Sequence, residues 1–232
     1  MNLAVVCIGD ELLSGDTLNT NAAWLGERLT ERGVTVERTT VVPDRIADIA
    51  RIVNEYRAEY DAVITTGGLG PTHDDMTMAG VAAAFGRTVE TNQEVLEWLD
   101  VEGGYQHADL AAGTADLPVG ATPIHNTEGV APGCIIENVY VLPGVPAEMK
   151  VMFETIEDDF EGERGYVTEV VVDEPESALL ERFAELQERF DVKVGSYPGE
   201  SVRVKIESTD EETVVSAAAW LRERVTKKQE ET

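Results

Sequence analysis

The sequence predicts an α/β domain with a mostly parallel sheet, followed by a small α+β domain. Short apolar runs that end in glycine or polar residues alternate with amphipathic helical patterns up to about residue 86, which is typical of parallel βαβ units. A glycine-bearing stretch, GERG at 162–165, interrupts this pattern, and the predicted order of elements then becomes β-α-β-β-α. We therefore predict one domain over residues 1–161, a second over 166–226 and a frayed tail at 227–232.

The first part of the predicted sheet alternates strands with helices. An apolar run from Asn2 to Ile8 suits a buried strand, and a polar loop, GDELLSGDTLNTN, follows it. We expect Asn21 to cap the next helix and Gly33 to end it. A second helix begins at Pro43 and has one apolar face, consisting of Ile46, Ile49, Val53, Tyr56 and Tyr60. The predicted elements are strands at 2–8, 34–42 and 62–66 and helices at 21–33, 44–60 and 76–85.

Residues 91–120 have a less regular pattern. A helix is predicted over 94–99, and the glycine-rich remainder is interpreted as a lid or as a loop that crosses the site. Short strands and a helix with Pro146 in its first turn complete the first domain. The remaining predicted elements are strands at 122–124, 134–136 and 139–142 and a helix at 146–156, then strands at 166–172, 192–197 and 202–208 and helices at 176–190 and 211–225.

The charge balance is strongly acidic. Asp and Glu number 45 against 18 Lys and Arg, for a formal net charge of -27, and the acidic residues are dispersed along a chain that is 43% apolar. This combination favours a folded protein adapted to high salt, where the Debye length is about 3 Å at 1 M and self-repulsion is screened. An acidic protein of low-salt environments is the alternative. Nonspecific nucleic-acid binding is disfavoured because phosphates would meet a negative surface.

The two cysteines, Cys7 and Cys134, lie within apolar runs and are predicted to be reduced core residues. No disulfide or zinc framework is indicated. The sequence has no apolar run of about 18 residues and no signal-peptide pattern at its start. We therefore expect a cytoplasmic protein with no membrane partner.

The stretch TTGGLGPTHDDMT at 65–77 is the first candidate for a binding site. Gly67, Gly68 and Gly70 let the backbone approach a ligand and direct amides toward it. The helix that follows adds the partial positive charge of its N-terminus, which favours phosphate. Neither a Walker loop nor a Rossmann fingerprint fits, and a tight strand-to-helix turn is the alternative. Hydroxyl donors in or beside this loop are Thr65, Thr66, Thr72 and Thr77.

The adjacent carboxylates Asp74 and Asp75 have two interpretations. One of them caps the helix, and the other holds a divalent cation or positions water. A cation would reconcile carboxylates with a phosphate, because it binds both. Asp10, Glu11 and Asp44 are further hard-oxygen ligands at predicted strand ends, and His73 is a weaker candidate for a ligand or base.

Two other loops, NTEGVAPGC at 126–134 and LPGVPAEM at 142–149, complete the predicted site. Their glycines allow close backbone approach, and Asn126 offers both an amide donor and a carbonyl for orienting a ligand. Glu148 lies near the start of a helix, where it either caps the helix or faces the ligand. Each loop alone could be a structural turn, whereas all of them together favour a polar small-molecule site.

These stretches together resemble a known family. GDELLSG (9–15), TTGGLGPTHDDMT, NTEGVAPGC and LPGVPAEMKVM (142–152) are similar to the molybdopterin-binding domain superfamily and, more closely, to the CinA group of competence/damage-inducible proteins. The second domain resembles the middle region of that group through ESALLERFAEL (176–186) and VGSYPGESVRVKI (194–206). The resemblance implies a three-layer α/β/α domain and a form that lacks the C-terminal amidase domain. The family often has a basic or polar segment before the position of Leu117, where this chain reads AAGT at 111–114.

The resemblance also implies a function. CinA-like domains are associated with metal-dependent hydrolysis of ADP-ribose-type pyrophosphates, whereas their molybdenum-cofactor relatives bind molybdopterin. A non-catalytic binding module is a third reading. The implied cofactor is Mg, Mn or Co, with K as a further candidate, or molybdopterin in the second reading. The implied partners are a nucleotide or pterin phosphate and further copies of the chain in a dimer or trimer.

The predicted site residues follow from both lines of reasoning. The catalytic candidates are Asp44, Asp74 and Asp75, and the metal ligands are Asp10, Asp74 and Asp75. The predicted ligand-binding residues are Gly9, Asp10, Glu11, Ser14, Gly15, Thr66, Gly67, Gly68, Gly70, Thr72, Thr77, Asn126, Gly129, Gly133, Pro143, Gly144, Pro146 and Glu148.

Overall fold

A computed structural model describes residues 1–70, 72, 75–105, 110–163 and 165–226. The chain divides into two compact units, Met1–Gly162 and Glu163–Thr232. None of the described helices combines the length and the apolar character that crossing a membrane requires.

The first unit alternates strands with helices along most of its length. Its strands are β1 (Asn2–Ile8), β2 (Thr35–Val42), β3 (Ala62–Thr66), β4 (Val89–Thr91), β5 (Asp116–Pro118), β6 (Thr122–Ile124), β7 (Gly133–Ile136) and β8 (Val139–Leu142). Its helices are α1 (Asp10–Ser14), α2 (Thr20–Glu31), α3 (Ile46–Glu59), α4 (Thr77–Ala84), α5 (Gln93–Val101) and α6 (Pro146–Ile156).

The central sheet of the first unit has the order β2-β1-β3-β8-β7-β6 among the described strands. The first four strands of this order are parallel, and β7 and β6 are antiparallel additions at one edge. Side chains of β1 alternate between two cores. Ala4, Val6 and Ile8 pack with buried residues of α3, α4 and α5, whereas Val5 and Cys7 pack with those of α2 and α6. The prediction of a three-layer α/β/α domain with a mostly parallel sheet is therefore confirmed.

The first residues of α6 and α2 can be compared with the helix starts that the sequence predicts. Pro146 occupies the first turn of α6, as predicted. In contrast, the prediction that Asn21 caps α2 is wrong. Asn19 is the cap, and its side chain accepts the N–H of Ala22. Asn21 lies inside the helix, is buried, and donates to the carbonyl of Gly144 at 2.8 Å.

Two loops predicted from composition contain regular structure. The stretch 9–21 was expected to be a polar loop, yet it includes α1, which ends at Gly15 in the left-handed region. Within 91–120, the predicted helix is present as α5. The structure adds the short pair β4–β5, in which Val89 lies opposite Pro118. Residues 106–109, part of the predicted lid, lie outside the described residues.

The second unit has the predicted β-α-β-β-α order. It consists of β9 (Tyr166–Val172), α7 (Leu180–Arg189), β10 (Lys193–Tyr197), β11 (Val202–Ser208) and α8 (Glu211–Arg222). The described strands form an antiparallel sheet in the order β10-β11-β9. Its core includes Val204 and Ile206 of the central strand, Leu186 of α7 and Leu221 of α8.

Glu174 forms hydrogen bonds with α7 and with Thr226, which follows α8. Its carboxylate accepts from both terminal nitrogens of Arg182, at 3.0 and 2.6 Å, and from the N–H of Thr226 at 2.6 Å. The Arg182 guanidinium, followed by the Thr226 N–H, lowers the pKa of Glu174 to about 2. The carboxylate therefore stabilises the folded unit in its charged form.

The carboxyl ends of the parallel strands meet at one edge of the central sheet. The N–H of Gly9 donates to Val42 and that of Gly67 to Leu142, so that loops following β1 and β3 contact the ends of β2 and β8. Gly67 has a φ of 102°, and a Cβ there would lie 2.1 Å from the carbonyl oxygen of Ile8. Only glycine fits this approach, which fixes the start of the glycine loop.

The charged form of Glu174 gives a pH-dependent prediction. The folded pKa of about 2 lies below the ordinary value of 4.5, so the stabilisation is present above pH 4.5 and is lost as the pH falls toward 2. We expect Glu174→Gln to lower the thermal unfolding midpoint at pH 7 and the difference to shrink progressively below pH 4.5. Glu169→Gln is the control, because its pair with Arg203 spans 3.8 Å and is about half exposed. An equal midpoint for Glu174→Gln and wild type at pH 7 would contradict the prediction.

The close approach at Gly67 gives a second prediction. Gly67→Ala adds both a positive-φ penalty and a backbone clash, and we expect a loss of about 2–4 kcal/mol in the free energy of unfolding. Gly15→Ala is the matched control, because Gly15 also has positive φ, at 81°, but a Cβ there would meet nothing within 4 Å. Its expected loss is about 1–2 kcal/mol. Urea denaturation of both variants measures the difference, and equal losses would show that the contact with Ile8 is unimportant.

Candidate functional site

Asp44 joins three of the loops at this edge of the sheet. It follows β2, and its Oδ2 accepts the backbone N–H of Asp10 at 2.9 Å, which holds the start of α1. Its Oδ1 lies 3.3 Å from the position that a Cβ on Gly68 would occupy. The loops after β1, β2 and β3 therefore converge on one carboxylate.

Electrostatics confirm that acidic groups gather around Asp44. Burial is the largest influence and raises its pKa, and the Asp10 N–H acts in the opposite direction. The negative charges of Glu11, Asp10 and Asp75 raise the pKa further. Carboxylates from separate loops are therefore close enough to repel one another.

Thr77 fastens the glycine loop to α4. Its hydroxyl donates to the carbonyl of Gly67 at 2.7 Å, and its N–H donates to Gly68 at 3.2 Å. The side chain is completely buried. Thr77 was predicted as a ligand contact, but its hydroxyl is already engaged in holding the loop.

Asp75 fastens the other end of the same loop. Its Oδ2 accepts the N–H of Thr72 at 2.9 Å and the Thr72 hydroxyl at 2.5 Å. Met76 occupies the cap position of α4, where no side-chain cap bond is made, so Asp75 does not cap this helix. Asp74 and His73 lie outside the described residues.

Two clefts flank the glycine loop. The α2-side cleft has an empty volume of about 390 Å³ and is lined by Ile8, Glu11, Leu12, Thr17, Leu18, Asn19, Thr20, Asn21, Thr66, Gly67, Gly144 and Pro146. The α4-side cleft has an empty volume of about 570 Å³ and is lined by Gly68, Leu69, Gly70, Asp75, Met78, Ala79, Val89, Gly113, Thr114, Asp116 and Pro132. Some of the predicted site residues therefore line one cleft or the other, whereas Asp10 and Asp44 line neither.

Asn126 and Glu148 form a separate structural cluster. The side-chain nitrogen of Asn126 donates to Glu148 at 2.7 Å and to the carbonyl of Ala131, while its oxygen accepts the N–H groups of Glu128 and Gly129. The amide of Asn126 therefore shapes its own loop, and neither Asn126 nor Glu148 lines either cleft.

The remaining predicted ligand contacts occupy varied positions. Gly133 lies in β7, where a Cβ would be 2.3 Å from the carbonyl oxygen of Val141. Packing between strands therefore accounts for glycine at this position, and no ligand contact is needed to explain it. Ser14 donates to Asp16 at 2.7 Å. Gly144 stands directly against the glycine loop, since a Cβ there would lie 3.2 Å from the Cα of Gly67. Pro143 is buried at the end of β8.

Sequence reasoning missed two groups of lining residues. Asn19, Thr20 and Asn21 line the α2-side cleft, although the only signal in this segment was a helix cap. Gly113 and Thr114 line the α4-side cleft together with Asp116 of β5. That segment includes the AAGT stretch that departs from the family pattern, so the departure falls on the wall of a cleft.

The donor chemistry of the site fits a hard cation. None of the described residues that line either cleft is Lys, Arg or His, whereas Glu11, Asp75 and Asp116 are carboxylates. Carboxylate oxygens are the ligands that Mg²⁺ and Mn²⁺ prefer. Within the described ranges, however, no group of three or more His, Cys, Asp or Glu side chains is placed to hold an ion. Asp74, a predicted ligand, is not among those residues.

Family comparison supports the resemblance over the first unit and matches the second unit to a different family model. Residues 4–160 match a family model described as "Probable molybdopterin binding domain". Residues 164–231 match a second model, described as "FAD synthase, middle domain". The second unit is therefore similar in sequence to that domain.

Individual relatives agree with the family match. A protein from Archaeoglobus fulgidus is 37% identical over 225 residues, covering 96% of this chain and 97% of the relative. A "CinA-like protein" from Frankia casuarinae is 44% identical over 165 residues, covering 66% of this chain and 38% of the relative. A crystal structure of "the protein CinA with unknown function" from Thermoplasma acidophilum is 37% identical, has a TM-score of 0.63 and covers 68% of this chain and 97% of that one. The chain therefore belongs to the molybdopterin-binding domain family and, within it, to the CinA-like proteins.

Proposed function

We propose that this protein binds the phosphates of a small nucleotide at the glycine loop and hydrolyses ADP-ribose-type pyrophosphates with a divalent cation. The observation that carries the proposal is the convergence of Asp10, Asp44 and Asp75 on the glycine loop after β3. The lining residues described for the two clefts include no basic side chain. A cation is therefore the group that would let a phosphate and these carboxylates share the site.

Each part of the chain has a definite role in this proposal. The amides of Gly68 and Gly70 and the N-terminus of α4 bind the diphosphate, while the Gly67 N–H is already bonded to the carbonyl of Leu142. Asp10 and Asp75, with Asp74, would hold the cation, which when bound would supply positive charge to the phosphoryl oxygens and would lower the pKa of water. Asp44 accepts the proton of that water. Water adds to one phosphorus, the bridging P–O bond breaks, and AMP and ribose 5-phosphate are released.

The second candidate function is binding of molybdopterin without hydrolysis. One observation favours it, namely that the described residues hold no ready group of three metal-binding side chains. The same amides would then serve the phosphate of the pterin. This reading also agrees with the description of the family that the first unit matches.

Substitution of Asp44 tests the hydrolase. Asp44→Asn keeps an oxygen for the Asp10 N–H but cannot accept a proton, so we expect AMP release from ADP-ribose to fall by about 100-fold. The assay uses Mg²⁺, Mn²⁺ or Co²⁺ in multi-molar KCl. Asp48→Asn is the control, because Asp48 lies in α3, four residues further along the chain, and its 3.7 Å pair with Arg51 is local. Wild-type protein that releases no AMP with any of these cations would refute the hydrolase, and retention of a fluorescent pterin would then support the second candidate.

Substitution of Thr77 tests whether the glycine loop must be held in place. Thr77→Val leaves the Gly67 carbonyl without its hydroxyl donor, and we expect a loss of about 1–3 kcal/mol in the free energy of unfolding. Affinity for phosphate should fall as well, because the loop amides lose their fixed positions. Thr77→Ser keeps the hydroxyl and is expected to retain most of the affinity. If titration calorimetry shows equal phosphate affinities for the Val and Ser variants, the loop does not depend on this bond.

A further inference from the structure

The α2-side cleft has a different chemistry from the acidic centre around Asp44. Most of its polar lining is uncharged, with Glu11 as its one carboxylate among the described residues. Leu12, Leu18 and Pro146 supply apolar surface. The cleft shares Gly67 with the glycine loop, so a molecule whose phosphate lies on that loop would place its adjoining group here.

Asn21 carries an unused acceptor in this cleft. The side chain is 9% exposed, and its nitrogen donates to the Gly144 carbonyl at 2.8 Å, which fixes the orientation of the amide. Its Oδ1 is buried and has no partner among the described residues. A buried acceptor without a donor is costly, so this position favours a ligand that provides an N–H or O–H.

The side chain of the neighbouring Asn19 is already engaged. The side-chain oxygen of Asn19 accepts the N–H of Ala22 at the start of α2. Burial raises the pKa of the nearby Cys7 thiol, and the side chains of Asn19 and Thr66 act in the opposite direction. Among the described residues that line this cleft, Asn21 Oδ1 is therefore the buried polar atom that has no hydrogen-bond partner and could accept from a ligand.

We propose that the α2-side cleft is a pentose subsite, in which a ribose hydroxyl donates to Asn21 Oδ1. This inference rests on the proposed phosphate site, because the position of the sugar is inferred from the position of the phosphate on the glycine loop. In a nucleotide or a ribose phosphate, the sugar is the group attached directly to the phosphate, so it falls in the space that adjoins Gly67. A ring with hydroxyl groups matches uncharged polar walls with some apolar surface, whereas a second phosphate would be repelled by Glu11.

A ligand series tests the subsite without relying on turnover. Titration calorimetry with Mg²⁺ present compares inorganic phosphate, ribose 5-phosphate and tetrahydrofurfuryl phosphate, which keeps the ring and phosphate but lacks hydroxyl groups. For the wild-type chain, we expect ribose 5-phosphate to bind about tenfold more tightly than either other ligand. Equal binding of all three would overturn the subsite while leaving the phosphate site in place. Failure of all three to bind would instead refute the proposed phosphate site, and the pentose subsite with it.

Substitution of Asn21 assigns the effect to its acceptor. Asn21→Leu has a similar size but no acceptor, and we expect ribose 5-phosphate to bind it within about twofold of inorganic phosphate. Asn54→Leu, on the exposed side of α3, is the matched control and should keep the tenfold preference. If Asn21→Leu weakens binding of phosphate and ribose 5-phosphate equally, Asn21 acts by positioning Gly144 and the proposal is wrong. The ligand series on the wild-type chain remains decisive even if Asn21→Leu does not fold.

Discussion

The bond from the Asp10 N–H to the Asp44 carboxylate is the interaction on which the arrangement of the site depends. It joins the loop after β1 to the loop after β2, and the same carboxylate stands beside Gly68 of the loop after β3. Parallel pairing of these strands brings their carboxyl ends to one edge. The pairing alone does not make a site, because the loops could still diverge. A single, partly buried acceptor at their meeting point holds them together.

Stability and function make opposite demands on the same carboxylates. Burial and neighbouring negative charge raise the pKa of Asp44, so its ionised form is costly in the absence of a counter-charge. Glu174 in the second unit shows the usual solution, since Arg182 and a backbone N–H hold its pKa near 2. Among the described residues, the charged groups that act on Asp44 are acidic and include no arginine. Glu174 is thus paired within the protein, whereas Asp44 has no such cationic partner among the described residues, which agrees with the cation proposed for the site.

The sequence predicted the features that depend on neighbouring residues. Apolar runs, helix faces and glycine loops are local patterns, and the parallel order follows from their alternation. The features that it missed depend on distant residues. In TLNTN, either Asn19 or Asn21 could cap α2, and the choice is made by the bond from Asn21 to Gly144, which is 123 residues away. The β4–β5 pair consists of three-residue strands on either side of α5, too short to produce a recognisable period.

The predicted site residues divide into those that build the loops and those that remain open to a ligand. Thr77 and Asn126 have polar atoms committed to backbone groups of their own loops, and one of the two carboxylate oxygens of Asp75 is engaged in the same way. A polar residue in a family motif therefore need not touch the ligand, because rigid placement of glycine amides requires such anchors. Asn21 shows the reverse case, since it resembles a helix cap in the sequence but keeps a buried acceptor unpaired. A buried polar atom that has no hydrogen-bond partner is therefore a better indicator of a ligand contact than a polar residue in the family motif.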